Sequence, residues 1–188
     1  MLTEGPEVSI VMVVRDAAAA MLRCLTALAR LPATIAFEVV LVDDGSTDGT
    51  ADVLQGIEGD IVAVHNTEPA GFGPACDQAV AAASGPLLVI IGHEVVPVDG
   101  WLQTLIAAVD GDLSIGAARP RAIELDGRVA AGPLWPCLAV RRQAYERSGG
   151  FAAASRPGVA DKIALVASLE RDGWAVVDEP DSLVLVVP

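Results

Sequence analysis

The sequence predicts a single α/β domain in which a Rossmann-like, mostly parallel central sheet is flanked by helices. Three observations carry that prediction. Short apolar runs rich in β-branched residues alternate with runs of helical period through the first half of the chain, the pattern of parallel strands joined by right-handed crossovers. One of those runs, Val39-Val-Leu-Val42, empties into Asp43-Asp44-Gly45-Ser46, so a strand covered on both faces ends in two adjacent carboxylates and a sharp turn. The composition is 53% hydrophobic yet holds only three Trp, three Phe and one Tyr, which suits helices packed on a buried sheet better than an aromatic-rich sandwich.

The elements follow in order. Residues 8–14 form the first strand, and residues 17–31 carry Met21, Leu25 and Leu28 at helical spacing until Pro32 closes them. Residues 37–42 are the second strand, 50–57 a short helix that Ser46 or Thr47 can cap, and 61–64 the third strand. An Ala-rich helix over 73–84 stops at Gly85-Pro86, and a fourth buried strand covers 87–91. The rhythm then loosens into a helix at 101–109, a strand at 115–118, and a hairpin over 122–129 turning at Asp126-Gly127. A helix over 141–148 stops at Gly149-Gly150, and a last one over 159–171 sets Val159, Ile163, Val166 and Leu169 on one face. Strands at 175–177 and 183–187 end the chain. No repeat, low-complexity tail or linker divides residues 1–188, and that length supports one substantial core.

The net charge of −13 argues against nucleic acid and anionic membrane surfaces as partners, because both select a basic footprint. No apolar run approaches the ~20 residues of a membrane span, and the first residues lack a basic segment followed by an apolar one, so neither an integral membrane segment nor a signal peptide is expected. Cys24, Cys76 and Cys137 are odd in number, far apart and set among apolar or small residues. They read as reduced core thiols of a cytoplasmic protein, without metal-ligand spacing.

Carboxylates at the carboxyl end of a buried strand sit where open α/β sheets bind ligands, although Asp and Ser also cap helices and build turns. Further stations recur in order: 8–16, 43–48, Asn66 followed by 71–78, Gly92-His93-Glu94 with Gly100-Trp101, Gly149-Gly150-Phe151, and Gly173-Trp174. Together, from Val8 to about Val184, they resemble the family-2 glycosyltransferases, which have the GT-A nucleotide-diphospho-sugar transferase fold. The resemblance implies transfer of a sugar from a UDP- or GDP-linked donor to an acceptor with inversion. It also implies a nucleotide-binding half over about 7–110 and an acceptor-side half over about 111–188. A Gly-x-Gly-x-x-Gly after the first strand would have suggested a dinucleotide enzyme instead, but Arg15-Asp16 followed by alanines stands there.

By that resemblance Asp44, with Asp43 before it, contacts the nucleotide base, a role suited to a carboxylate that can accept an imide N–H. Val13 and Arg15 of the opening strand, Gly71, and Asp77, which stands where Asn is usual, fall on the nucleotide side. Gly71 and Gly73 permit close backbone approach to a ligand. The metal motif Asp-x-Asp reads Gly92-His93-Glu94 here, leaving Glu94, with His93 as a second ligand or a surface residue, to hold Mn²⁺ or Mg²⁺. The family's Glu-Asp pair before a Gly-Trp falls on Asp161-Lys162, which puts Lys162 at the base position in the simplest register and Asp161 there after a slide of one residue; Asp161 is the candidate proton acceptor, and it also suits the positive end of a helix. Arg15, Arg119 and Arg121 are either phosphate contacts or solvated surface, and Trp135-Pro136 either lines an acceptor pocket or packs in the core beside Cys137. Family members carry further elements that complete the acceptor site, so a partner subunit or a second copy of the chain is an expected contributor. A second reading stays open on these residues, in which the chain keeps the fold and nucleotide binding and serves as a regulatory or assembly partner.

Overall fold

The computed structural model describes residues 5–31, 35–57, 59, 61–130, 136–154 and 160–187. Among them the strands are β1 (Val8–Val14), β2 (Phe37–Asp44), β3 (Ile61–Asn66), β4 (Leu87–Gly92), β5 (Val95–Pro97), β6 (Ile115–Glu124), β7 (Cys137–Arg141) and β8 (Ala175–Val186). The helices are α1 (Ala18–Leu28), α2 (Thr50–Gln55), α3 (Phe72–Ala82), α4 (Trp101–Asp110), α5 (Arg142–Arg147), α6 (Gly150–Ala154) and α7 (Asp161–Arg171). The strands form one sheet in the order β3-β2-β1-β4-β7-β6-β8-β5.

The first four strands run parallel, with β1 between β2 and β4. Their residues alternate between two cores, as the period of two in a strand requires. Ile10, Met12, Leu41, Val89 and Ile91 pack on one face with Met21 of α1 and Leu105 of α4; Val11, Val40, Val42, Leu88 and Ile90 pack on the other with Ala79 of α3 and Leu165 of α7. Pairing Val14 with Asp43, Val13 with Gly92 and Asp44 with Asn66 puts the carboxyl ends of these strands in one row.

The later half departs from the sequence expectations in detail. β7 was not anticipated, because Cys137-Leu-Ala-Val runs without a turn signal into α5. The expected strands at 175–177 and 183–187 are one strand, β8, whose pairing with β6 shifts register between Pro120 and Arg121, opposite residues 179–183 that include Pro180. The turn at Asp126-Gly127 forms, with Gly127 at φ +83°, but its return arm contributes only a bridge from Val129 to Ile123. α7 buries Ala164, Leu165, Ser168 and Leu169, whereas Ile163 and Val166 are only half-buried. Small residues let it lie close to α6 and α3, so its apolar stripe is not its deepest face; Val159 lies outside the described residues.

Two devices hold the ends of the strands opposite that row. Glu38 Oε1 accepts hydrogen bonds from Ser9 Oγ (2.6 Å), Ser84 N (2.6 Å), Ser84 Oγ (2.9 Å) and Gly85 N (3.3 Å), and Ser9 Oγ accepts a second bond from Gly85 N at 2.8 Å. The consecutive arginines leaving β7 then reach opposite ways. Arg141 donates to the carbonyls of Val109 in the last turn of α4 and of Ile115 at the start of β6, and Arg142 to those of Val80 (3.2 Å) in the last turn of α3 and of Gly85 (2.8 Å) just beyond it. The bonds to Val109 and Val80 reach carbonyls in the last turn of each helix, where intrahelical donors run out. With its carboxyl end so fixed, α3 presents its amino end to the row of strand ends.

A Cβ at position 85 would lie 2.7 Å from Ser9 Oγ and 2.8 Å from the Ser9 backbone nitrogen. Gly85→Ala is therefore expected to destabilise the fold by about 1–3 kcal/mol, read from urea unfolding. Burial opposes the charged form of Glu38, but the bonds from Ser9, Ser84 and Gly85 outweigh it and hold its pKa below the ordinary 4.5. A carboxylate depressed in the folded state contributes stability that is complete above that ordinary value and is lost as pH falls through the folded one. The urea midpoint should thus drop on acidification below about 4.5, and Glu38→Gln should flatten that drop.

Candidate active site

The loop after β1 and the turn after β2 are pinned to each other by Asp16. Its Oδ1 accepts bonds from Thr47 N (2.6 Å), Thr47 Oγ1 (3.2 Å) and Asp48 N (3.2 Å), while its own N–H donates to Ser46 Oγ at 3.0 Å. Asp16 holds φ at +50°, the one non-glycine among the described residues in the left-handed region, which Asp tolerates better than most. The backbone bond from Thr47, first among several, lowers its pKa below the usual carboxylate value. Arg15 precedes it with Nε 3.8 Å from Asp16 Oδ2 and a half-exposed side chain.

At the end of β2 the two carboxylates part. Asp43 is fully buried; its Oδ1 accepts Ser46 N at 3.0 Å and its Oδ2 meets His65 Nδ1 at 2.8 Å, so it closes its own turn and ties it to β3. Asp44 turns toward the segment that opens α3. Its Oδ1 accepts Asn66 Nδ2 (3.0 Å) and Ala70 N (2.7 Å), and its Oδ2 accepts Gly71 N (2.9 Å). Burial works against its charged form, but these three bonds and the nearby Arg15 guanidinium outweigh it and hold its pKa below the ordinary value. Gly71 takes φ +94°, and a Cβ there would meet no atom within 4 Å, so the backbone faces open space.

The same helix turn is reached from the far half of the chain. Asp161, at the start of α7, accepts Gly73 N at 3.1 Å through Oδ2. A Cβ at Gly73 would stand 3.0 Å from that oxygen and 3.2 Å from Phe151 Cβ, so glycine is what admits the carboxylate. Lys162 Nζ lies 5.0 Å from the centre of the Phe72 ring, and Phe72 meets Phe151 edge-on at 5.5 Å.

At the end of β4 a Cβ on Gly92 would fall 2.2 Å from Glu94 Oε2, so the Glu94 carboxylate folds back over the space a side chain at 92 would take. His93, half-buried, forms the turn between them. Among the described residues no three His, Cys, Asp or Glu side chains gather as a metal-ligating group. Val13, half-buried on β1, lies between Val42 and Gly92 in register.

The structure therefore brings together Arg15, Asp44, Gly71 and Asp161 about the start of α3, with Val13, His93 and Glu94 beyond. Asp77 faces elsewhere. Its Oδ1 accepts Tyr145 Oη (2.5 Å) and Phe151 N (3.1 Å), and its Oδ2 accepts Ala152 N (2.8 Å), so it caps α6. A Cβ at Gly150 would lie 2.7 Å from Asp77 Oδ1, and one at Gly149 would lie 2.5 Å from Ala153 Cβ, which together explain the glycine pair before Phe151. Burial, then the Asp77 bond, pushes the Tyr145 hydroxyl pKa upward. Arg119 is engaged with Asp178 at 2.8 Å. Trp135 lies outside the described residues. All three cysteines are buried and free, and burial pushes the Cys24 thiol up to about 12. Sequence reasoning missed the pin at Asp16, for which an Asp right after a strand was the only local signal, and it gave Gly73 to a ligand where the glycine makes room for the Asp161 carboxylate.

A family model described as glycosyl transferase family 2 matches residues 9–149. Uncharacterised glycosyltransferases of Mycobacterium tuberculosis and Mycobacterium bovis are 33% identical over 132 residues, which is 66% of this chain and 55% of theirs. The chain thus spans about half the length of the curated relatives it matches. Among solved structures, a mannosyltransferase of Pyrobaculum calidifontis in complex with GDP-Man and Mn²⁺ superposes with TM-score 0.79 at 21% identity, over 99% of this chain and 58% of that one. GalNAc-T7 with UDP, GalNAc and Mn²⁺ gives 0.80 at 14% identity, over 97% and 43%. These likenesses bear out the GT-A fold. No helix among the described residues is long and apolar enough to cross a membrane.

Because Asp44 is the acceptor for the amides of residues 70 and 71, Asp44→Ala should speed hydrogen exchange at those two amides and through the first turn of α3 while leaving β1 and β4 protected. Unchanged exchange there would contradict the anchoring role.

Proposed function

Since the chain belongs to glycosyl transferase family 2, we propose that it transfers a sugar from a nucleotide-diphospho-sugar donor to an acceptor hydroxyl with inversion. The observation that carries this reading is the convergence on one helix turn: Asp44 from the nucleotide half, through Ala70 and Gly71, and Asp161 from the acceptor half, through Gly73. A donor site and a proton acceptor must lie that close for a sugar carbon to pass between them.

In this mechanism Asp44 accepts an N–H of the base, and the open backbone at Gly71 lets the nucleotide approach without a side chain in the way. The acceptor oxygen attacks the anomeric carbon as its proton passes to the Asp161 carboxylate, and the bond to the diphosphate breaks with the nucleoside diphosphate as leaving group. Attack opposite the leaving group inverts the anomeric centre. The single carboxylate at Glu94 fits a divalent cation of the kind that keeps several waters and takes its other ligands from substrate phosphates, with His93 beside it. Bound Mn²⁺ or Mg²⁺ would supply positive charge against the negative charge that grows on the diphosphate. With the division drawn at about 7–110 and 111–188, the roles of Asp44, Gly71 and Glu94 fall in the first part and that of Asp161 in the second.

Calorimetry with UDP and GDP, each with Mn²⁺ and with EDTA, tests the reading. Nucleotide binding strengthened by the cation, abolished in Asp44→Ala and stripped of its cation dependence in Glu94→Gln is the expected result. Asp161→Asn should leave nucleotide affinity intact while slowing release of nucleoside diphosphate from the donor by about 10²–10⁴-fold. No binding of either nucleotide under any condition would overturn the proposal.

A further inference from the structure

The first turn of α7 carries charges of both signs, Asp161 and then Lys162. Asp161 suits that place, since a helix start favours an anion. Lys162 gains nothing from its own helix there, so its charge has to be accounted for by what lies around it.

Its ammonium is carried across to α3, 5.0 Å from the centre of the Phe72 ring. Phe72 directly follows Gly71, whose backbone faces open space, and precedes Gly73, which seats the Asp161 carboxylate. The field of the ammonium reaches two buried thiols, one on α3 and one at the start of β7. Burial pushes Cys76 and Cys137 up, and in both the Lys162 charge works against it, while Glu94 adds to the rise at Cys137. Cys137 pairs with Ile91, the residue before Gly92. Lys162 and Glu94 therefore act on the same strand end, one from α7 and the other from the turn after β4.

That end of the sheet is acidic, with Asp44, Glu94 and Asp161 about it in a chain of net charge −13, and a nucleoside diphosphate brings further negative charge. Glu94 is a single carboxylate, and among the described residues no three His, Cys, Asp or Glu side chains gather to hold a cation. One divalent ion resting there leaves part of the diphosphate charge unmatched. We propose that Lys162 is a direct contact of the donor diphosphate, a fixed cation that works beside the divalent one. An ammonium is a compact point charge with three rotatable donors, which suits phosphate oxygens that take on charge as the bond to the sugar breaks. The Phe72 ring holds it in place without cancelling its charge. The inference rests on the placing of the donor at the start of α3 made above, and it sets the phosphates between Phe72 and Glu94.

Calorimetry of the full chain in Mn²⁺, with UDP against uridine and GDP against guanosine, compares Lys162→Met with the unsubstituted chain. The expected result is a diphosphate affinity weakened about tenfold in the variant beside an unchanged nucleoside affinity, which also shows that the variant is folded. Lys162→Arg, which keeps the charge, should lose no more than about threefold. Unaltered diphosphate affinity in Lys162→Met overturns the assignment while leaving the transferase reading intact. An equal loss for nucleoside and diphosphate overturns it as well, and gives Lys162 to the packing of α7 on Phe72. Failure of both nucleotides to bind the unsubstituted chain removes this inference and the transferase reading together.

Discussion

Three parallel strands in strict register, β1 with β2 on one side and β4 on the other, set the end of β2 at Asp43 and Asp44 and the end of β4 at Gly92 on either side of Val13 and Val14. Everything functional hangs on that alignment. Slipping one strand by a single residue would turn its whole apolar set to the wrong face, so the two cores that hold the sheet also hold the row of strand ends. The apolar runs that look like mere core filling are thus what keeps the carboxylates in place.

Charged groups are costly to bury without partners, and here the cost is offset by backbone amides. Asp43, Asp44, Asp77 and Asp161 each receive at least one N–H from a turn or a helix start. Each such bond fixes a loop as well as a side chain, so an acidic protein uses its acids as fasteners. Arg141, through the Val109 carbonyl, and Arg142, through the Val80 carbonyl, do the complementary work at the carboxyl ends of α4 and α3. The result is a helix, α3, held at both ends by charges of opposite sign.

The parts of this arrangement that were legible in the sequence are those with local periods. Val39-Val-Leu-Val42 announces a buried strand and the two aspartates announce its end. What periodicity cannot convey is direction. Asp43 and Asp44 are neighbours in sequence, yet one closes a turn against His65 and the other reaches the start of α3. Asp77 looked like a nucleotide contact by position on α3, but two backbone amides and a tyrosine hydroxyl claim it. The face of α7 was misjudged because Ala164 and Ser168 are buried for closeness rather than for apolar area. β7 was hidden because nothing punctuates its passage into α5.

The Glu94 carboxylate folded over Gly92 couples the two positions. A side chain introduced at 92 would meet the flexible end of Glu94, so the longer residue has to swing aside before a second acid can share the spot, and two acids there would repel each other unless a cation lay between them. The effect of a substitution at 92 therefore depends on which residue stands at 94.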